Sequence, residues 1–411
     1  MTLSLEDVRA LDAADPLRDF RARFSIPDHL IYLDGNSLGP LPAATPARVE
    51  RAIRREWGQG LIRSWNDEDW IGAPARVGDK IARLIGAAPG EVVVADSTSV
   101  NLFKLLSAAV QARPGRRVIL TEIGNFPTDL YIAQGLAALL PDLEVRAVEG
   151  EAVEAAIGED VAVVTLTHVH YKTAARRDMA KVTAAAHAAG ALMLWDLSHS
   201  AGAVAVDLNG CHADLAVGCG YKFLNGGPGA PAFLFVAGPL QNALATPLSG
   251  WMGHAAAFEF DDDYRPAAGI ARFLCGTPPM LGLLALEDGI DLALEADLHA
   301  LTRKSAGLWD LFAERISVRL GSHPFRLISP PEPAARGSHI SYTHPQGWAV
   351  MQALIARGVI GDFRDPDVMR FGITPLYLGY EDVWRAVETL ADVMETAAWR
   401  DVAPRQAGRV T

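Results

Sequence analysis

From residue 91 to residue 236 the chain repeats one pattern: a short apolar run, a polar turn, then a stretch with helical spacing of its apolar residues. The runs VVVA (92–95), RVIL (117–120), LEVRAV (143–148), VAVVTL (161–166), LMLW (192–195), LAVGC (215–219) and AFLFV (232–236) are rich in Val, Leu and Ile and are bounded by polar or turn residues. Each reads as a strand. Between them lie stretches expected as helices, ending at 110 and spanning 130–140, 151–157 and 179–189. Strands that alternate with helices predict a mostly parallel sheet covered on both faces.

The flanks follow other patterns. Residues 1–30 predict one or two short helices, and IYLDGNSLGPLP a loop ahead of a long amphipathic helix at about 45–57. GLIRSWNDEDW sets Arg63, Trp65 and Trp70 among polar residues, and a further helix runs from 75 to 85. After residue 250 two irregular loops, SGWMGHAAAFEFDDDYRP and RFLCGTPPM, precede a long or broken helix at 280–318. Strands at 325–329 and 338–343 and helices at 347–357 and 381–398 complete the pattern, and the tail RDVAPRQAGRVT reads as loosely ordered. The expected fold is therefore α/β, with a mostly parallel central sheet in a large domain (30–288). A smaller α/β domain combines 1–29 with 289–411.

In sheets of this kind ligands bind beyond the carboxyl ends of the strands. Thr98, Ser99, Asp129, Thr167, Asp196, His199, Tyr221 and Lys222 all fall just after predicted strands. Lys222 stands where the run 215–219 gives way to Asn225, Gly226, Gly227, Pro228 and Gly229, an unusual place for a hydrated ammonium. A desolvated lysine amine condenses with an aldehyde, and a buried carboxylate such as Asp196 keeps a pyridine nitrogen protonated. Thr98 and Ser99 open a helix, where free backbone N–H groups favour an anion such as phosphate, although a plain helix cap has the same pattern. Phe126 and Asp129, in NFPTD, are placed to stack on and hydrogen-bond to a ring. Arg370, in MRFG, carries a fork suited to a carboxylate.

Composition narrows the classes. With 37 basic and 49 acidic residues the net charge is −12, which argues against nucleic acid or an anionic membrane as partner. Cys211, Cys219 and Cys275 form no CxxC pair, so reduced thiols in a cytoplasmic protein and no metal site are expected. No apolar run approaches the roughly 18 residues of a membrane helix. The first twenty residues read as an amphipathic helix, not a signal peptide.

The stretch from Asp214 to Gly229 resembles the lysine signature of the class V aminotransferase group, pyridoxal-phosphate enzymes of fold type I, in which His, Gln or Arg more often precedes the lysine. IYLDGNSLG, EWGQGLIRSWN, NFPTDLYIA, LTHVHYKT, WDLSHSAGA, GYKFLNGGPG, PLSGWMGH, RFLCGTPP, RGSHISYTHPQG and GVIGDFRDPDVMRFGITPLY together resemble the bacterial kynureninases, in order, across residues 31–377. Two positions depart from that pattern, His170 and Phe223. The resemblance implies pyridoxal 5'-phosphate as cofactor, and hydrolysis of L-kynurenine, with 3-hydroxykynurenine as a further substrate left open, to anthranilate and L-alanine in tryptophan degradation. It implies a homodimer with composite sites.

It also implies roles. Lys222 holds the cofactor as a Schiff base and moves protons, with Tyr221 as a second acid/base group. Asp196 pairs with the ring nitrogen and Phe126 stacks on the ring. Thr98, Ser99 and Tyr221 bind phosphate, and Trp251 and Thr277 reach it from the neighbouring subunit. Asp129, Thr167 and His199 complete the pocket. Arg370 takes the substrate carboxylate, with Ser37 and Trp65 near its aromatic end. Two alternatives stand beside this reading. A cysteine desulfurase or selenocysteine lyase needs a nucleophilic cysteine in the C-terminal region, and none follows Cys275. A non-catalytic cofactor-binding module has no need of both Lys222 and Asp196.

Overall fold

A computed structural model of the chain describes residues 3–403. It divides into two compact units. The larger comprises Thr45–Tyr171 with Arg177–Leu294; the smaller comprises the chain up to Ala44, Lys172–Arg176, and the chain from Glu295 onward.

The larger unit is built on a seven-stranded sheet. In spatial order its strands are Val92–Val94, Phe233–Val236, Leu215–Gly218, Leu192–Asp196, Val161–Thr167, Val118–Glu122 and Glu144–Val148. Phe233–Val236 runs antiparallel to both neighbours, and the other pairings are parallel. Successive side chains along a strand point to opposite faces, and the core follows this except at Val161, where the pairing with Val118–Glu122 shifts register. Val92, Val94, Val118, Leu120, Met193, Trp195, Phe233 and Phe235 join one apolar cluster, with the helices Ala73–Ile85 and Met280–Glu295. Val93, Ile119, Leu192, Leu194, Leu234 and Val236 join the other, with the helix Thr98–Gln111. Continuous apolar runs in the sequence are thus strands buried on both faces. The expected fold class is the one observed.

Three expectations are refined. The helix expected at 45–57 is α-helical only over Thr45–Arg51 and then widens into a π-helical segment, Ala52–Gly60. Buried Glu56 anchors this segment, accepting hydrogen bonds from Arg48, Arg51 and the Trp70 indole. The helix expected at 151–157 is two short 3-10 turns, Gly150–Ala152 and Glu154–Ala156, because Val153 alone is buried there and cannot support a longer amphipathic face. The long stretch at 280–318 breaks into Met280–Glu295 and Leu298–Leu320, where Asp297 caps the second helix by accepting from the Ala300 N–H at 2.7 Å.

In the smaller unit, an antiparallel sheet has the order Asp362–Arg364, Val368–Gly372, His339–Thr343, Arg326–Leu327. The helices Leu298–Leu320 and Tyr380–Glu395 pack together, with the Arg315 guanidinium stacked 3.5 Å over the Trp384 ring. Ile31–Tyr32 pairs in parallel with Val359–Ile360, which draws residues 30–44 into this unit rather than the larger one. At the other boundary the unbroken helix Met280–Glu295 keeps 289–294 in the larger unit. Part of the tail expected to be loosely ordered, 404–411, lies outside the described residues. No helix among the described residues is long and apolar enough to cross a membrane.

Candidate active site

The carboxyl ends of five strands in the larger unit surround one cavity. Its lining includes nine of the expected residues: Thr98, Ser99, Phe126, Asp129, Thr167, Asp196, His199, Tyr221 and Lys222. Each is there for a local reason. The helix Thr98–Gln111 is capped by Ser97, whose Oγ accepts from the Val100 N–H, so Thr98 and Ser99 occupy its first turn beside the open N–H groups. Asp129 sits in the first turn of Pro127–Leu139. Thr167 and Asp196 end adjacent parallel strands and are register partners. Past Leu215–Gly218 the chain turns sharply, with Asn225 and Gly227 both at positive φ and the Asn225 N–H donating to the Lys222 carbonyl at 2.9 Å. This turn fixes Lys222 at the strand end.

Lys222 is buried, and its Nζ lies 3.0 Å from His199 Nε2. The same nitrogen is 5.7 Å from the ring centres of Phe126 and of Tyr221. Asp196 is buried too. Burial pushes its carboxyl up from the ordinary value, while the Ser198 N–H at 2.7 Å and the Lys222 charge pull it down. Asp129 is pushed up further, by burial first and then by the negative charge of Asp196. Its Oδ2 accepts one long bond from Asn125 at 3.4 Å, and its Oδ1 has no protein partner. Of the two carboxyls, Asp129 is the one driven toward the neutral form. The Thr167 hydroxyl, buried in the wall, likewise has no protein partner. Buried polar atoms are almost always hydrogen-bonded, so two orphans facing one cavity mark a place where a polar ligand completes the set. A buried amine, a carboxylate pair, an aromatic face and a helix N-terminus fit an aromatic aldehyde that carries a phosphate.

The remaining expected residues lie elsewhere. Trp65 packs edge-on against Trp70 at 5.8 Å in the larger unit, outside the cavity lining. Trp251 and Thr277 lie on exposed turns of the same unit, also outside the lining. Ser37 and Arg370 belong to the smaller unit and meet each other there. Arg370 is buried in a cluster in which its Nε donates to Asp362 Oδ1 at 2.7 Å, its Nη2 pairs with the other carboxylate oxygen, and Nη2 lies 3.1 Å from Ser37 Oγ. Arg364 donates to the same carboxylate at 2.7 Å.

Sequence reading missed Ser97, Thr128, Tyr171 and Ser198 in the lining, and Asp362 beside Arg370. A signal existed for Ser97 and Ser198: each follows a strand end by a few residues, in the segments that supplied Thr98 and His199. Nothing in the linear sequence pairs Asp362 with Arg370; their strands are brought together by the antiparallel register.

Comparisons with known proteins identify the family and the fold. Residues 301–390 match the family model for the kynureninase C-terminal domain. The chain is 53% identical over 401 residues to a kynureninase of Burkholderia pseudomallei, covering 96% of both chains. It is 52% identical over 399 residues to a kynureninase of Pseudomonas fluorescens, again covering 96% of both. Among solved structures, the apo cysteine desulfurase of Thermococcus onnurineus superposes with a TM-score of 0.77, covering 96% of this chain and all of that one. At 19% identity that likeness carries the fold alone. More than half of the residues are shared with the kynureninases over nearly the whole length, so the chain belongs to the kynureninase family.

Proposed function

We propose that the protein is a pyridoxal-phosphate-dependent hydrolase that cleaves the Cβ–Cγ bond of L-kynurenine to give anthranilate and L-alanine. The observation that carries this reading is a buried lysine, Lys222, beside two buried carboxyls at the strand ends, in a chain of this family. When bound, the cofactor supplies a conjugated ring that accepts the electron pair left by proton removal and by carbon–carbon cleavage.

The chain's own residues hold and orient that chemistry. The Lys222 amine would hold the cofactor aldehyde and would serve as the base for the Cα proton. His199, within hydrogen-bond distance, exchanges protons with it or fixes its direction. Asp196 provides the anion that keeps a ring nitrogen protonated, and such a cation in turn holds Asp196 ionised against its burial. Asp129 and Thr167 hydrogen-bond to polar groups of the ring through the atoms that have no protein partner. Phe126 gives the ring a face to stack on. The N–H groups at the start of Thr98–Gln111, with the Thr98 and Ser99 hydroxyls, take the phosphate.

Arg370, oriented by Asp362, binds the substrate carboxylate with Ser37 beside it, and Trp65 is assigned to the aromatic end. The working form is a homodimer in which Trp251 and Thr277 of each subunit complete the other's phosphate site. Exposed Trp57, Leu61 and Ile62 in the larger unit support association, because clustered apolar surface favours a partner.

The test is direct. Purified chain supplied with pyridoxal phosphate develops the visible absorbance of a lysine-bound aldehyde and releases fluorescent anthranilate from L-kynurenine, with 3-hydroxykynurenine assayed alongside. Lys222→Ala lowers this rate by at least about 1000-fold. Sulfide from L-cysteine without anthranilate from kynurenine would place the protein with the desulfurases.

Tyr221 holds a second role in this proposal, as an acid that protonates Cβ of the retained three-carbon fragment after the Cβ–Cγ bond breaks, besides binding phosphate. Tyr221→Phe then lowers kcat on the order of 100-fold. Full turnover with unchanged cofactor affinity removes the acid role.

A further inference from the structure

One buried cation in the larger unit has no part in the chemistry above. Lys104 lies on the helix Thr98–Gln111, and its side chain is wholly buried. Its Nζ donates to Asp96 Oδ2 at 2.5 Å and to the Phe273 carbonyl at 2.7 Å. An ammonium loses strong hydration on burial, so it is retained only where it is paired and hydrogen-bonded.

What it pairs with gives it meaning. Asp96 is the residue just before the helix cap Ser97, and its φ is +48°. A non-glycine residue there is strained and persists because its surroundings hold it. Three contacts do so. The Asp96 carbonyl accepts from the Ala232 N–H at 2.9 Å, the buried Asn101 amide donates to the Ala95 carbonyl at 2.8 Å, and Lys104 grips the side chain. The turn they fix leads into the helix whose first-turn residues Thr98 and Ser99 line the cavity. The second acceptor, Phe273, heads the segment that runs through Cys275 to Thr277. The Cys275 carbonyl accepts from the Met252 N–H at 3.3 Å, in the turn that carries Trp251. A single ammonium therefore ties the turn under Thr98 and Ser99 to the segment bearing Thr277 and Trp251.

We propose that Lys104, acting through Asp96 and the Phe273 carbonyl, is a positioning residue for the phosphate group of the cofactor. It touches no ligand; it sets the turn whose N–H groups do. The inference rests on the functional reading given above, and its test separates the two.

Apo chain is titrated by absorbance with pyridoxal 5'-phosphate and, separately, with pyridoxal, which has the same aldehyde and ring but no phosphate. In Lys104→Met and in Asp96→Asn the Kd for pyridoxal phosphate rises about tenfold or more, the worth of a charge-assisted contact. The Kd for pyridoxal stays within about twofold of the parent value, because the lysine, the aspartates and the ring face are untouched. Asp96→Asn retains a side chain that tolerates positive φ and leaves the Lys104–Phe273 bond in place, so it carries the test if Lys104→Met fails to fold. Equal weakening toward both ligands reduces Lys104 to general support and overturns the proposal, as does no weakening toward either. A parent protein that binds neither ligand overturns the functional reading itself.

Discussion

The two units solve the same problem in opposite ways. Each buries two carboxyls next to a cation: Asp129 and Asp196 with Lys222 in the larger unit, Asp34 and Asp362 with Arg370 in the smaller. In the smaller unit Asp362 is satisfied by the charges of Arg370 and Arg364. Burial alone would push Asp362 up, but the Arg370 hydrogen bond and charge, with Arg364 and Ser37, outweigh it and hold the carboxyl below its ordinary value. The cost falls on its neighbour: burial and then the Asp362 charge push Asp34 up to about 7. In the larger unit the lysine reaches a histidine instead of a carboxylate, and Asp129 keeps an oxygen without a protein partner. The Arg370–Asp362 pair is satisfied as folded, while Asp34 beside it keeps one oxygen without a protein partner. The cluster of the larger unit leaves an Asp129 oxygen and the Thr167 hydroxyl without protein partners at the cavity.

The sharpest way to break this comparison is to open the closed cluster. Asp362→Asn keeps the shape of the side chain and one acceptor, but strands the buried Arg370 guanidinium without its counter-charge. Breaking a buried pair from one side costs about 3–5 kcal/mol. The urea unfolding transition of the apo chain therefore moves to lower denaturant by an amount of that order. A shift within about 0.5 kcal/mol of zero, the size of an ordinary surface change, means that Arg370 was never dependent on Asp362. The two clusters would then not differ in kind.

The comparison also shows what was legible in the chain. Strand ends announce themselves, because a run such as LMLW stops at a polar residue. Eight of the nine expected residues that line the cavity followed from that rule, from Thr98 to Lys222, with Phe126 added from its segment NFPTD. Asp362 was invisible for the opposite reason. Its partner Arg370 is eight residues along the chain and meets it through the antiparallel register of 362–364 with 368–372. Lys104 was hidden in the same way, since a lysine in a helical stretch reads as solvated until tertiary contacts bury it. The break at 52–60 has a similar origin: a buried glutamate, Glu56, reshapes a segment whose spacing alone reads as an ordinary helix. Local pattern finds positions; partnerships between buried charges come from the fold.

A smaller effect sharpens the contrast from the open side. Asp129 carries a carboxyl raised above its ordinary 3.8, by burial first and then by Asp196. For an acid whose folded value is raised, the stability it contributes is fully present below 3.8 and is lost as pH rises through the folded value. Wild-type apo protein therefore carries a penalty at pH 8 that Asp129→Asn, uncharged at every pH, does not. The variant melts about 2–4 °C above wild type at pH 8, for each kcal/mol so relieved. That gap closes as pH falls toward 4, as followed by calorimetry of the apo chain. Adding pyridoxal phosphate must narrow the gap at pH 8, because the bound ring gives the ionised carboxyl the partner that the protein withholds. If the gap at pH 8 is unchanged by the cofactor, Asp129 is as self-contained as Asp362, and its unpartnered oxygen is an accident of packing and not a ligand contact.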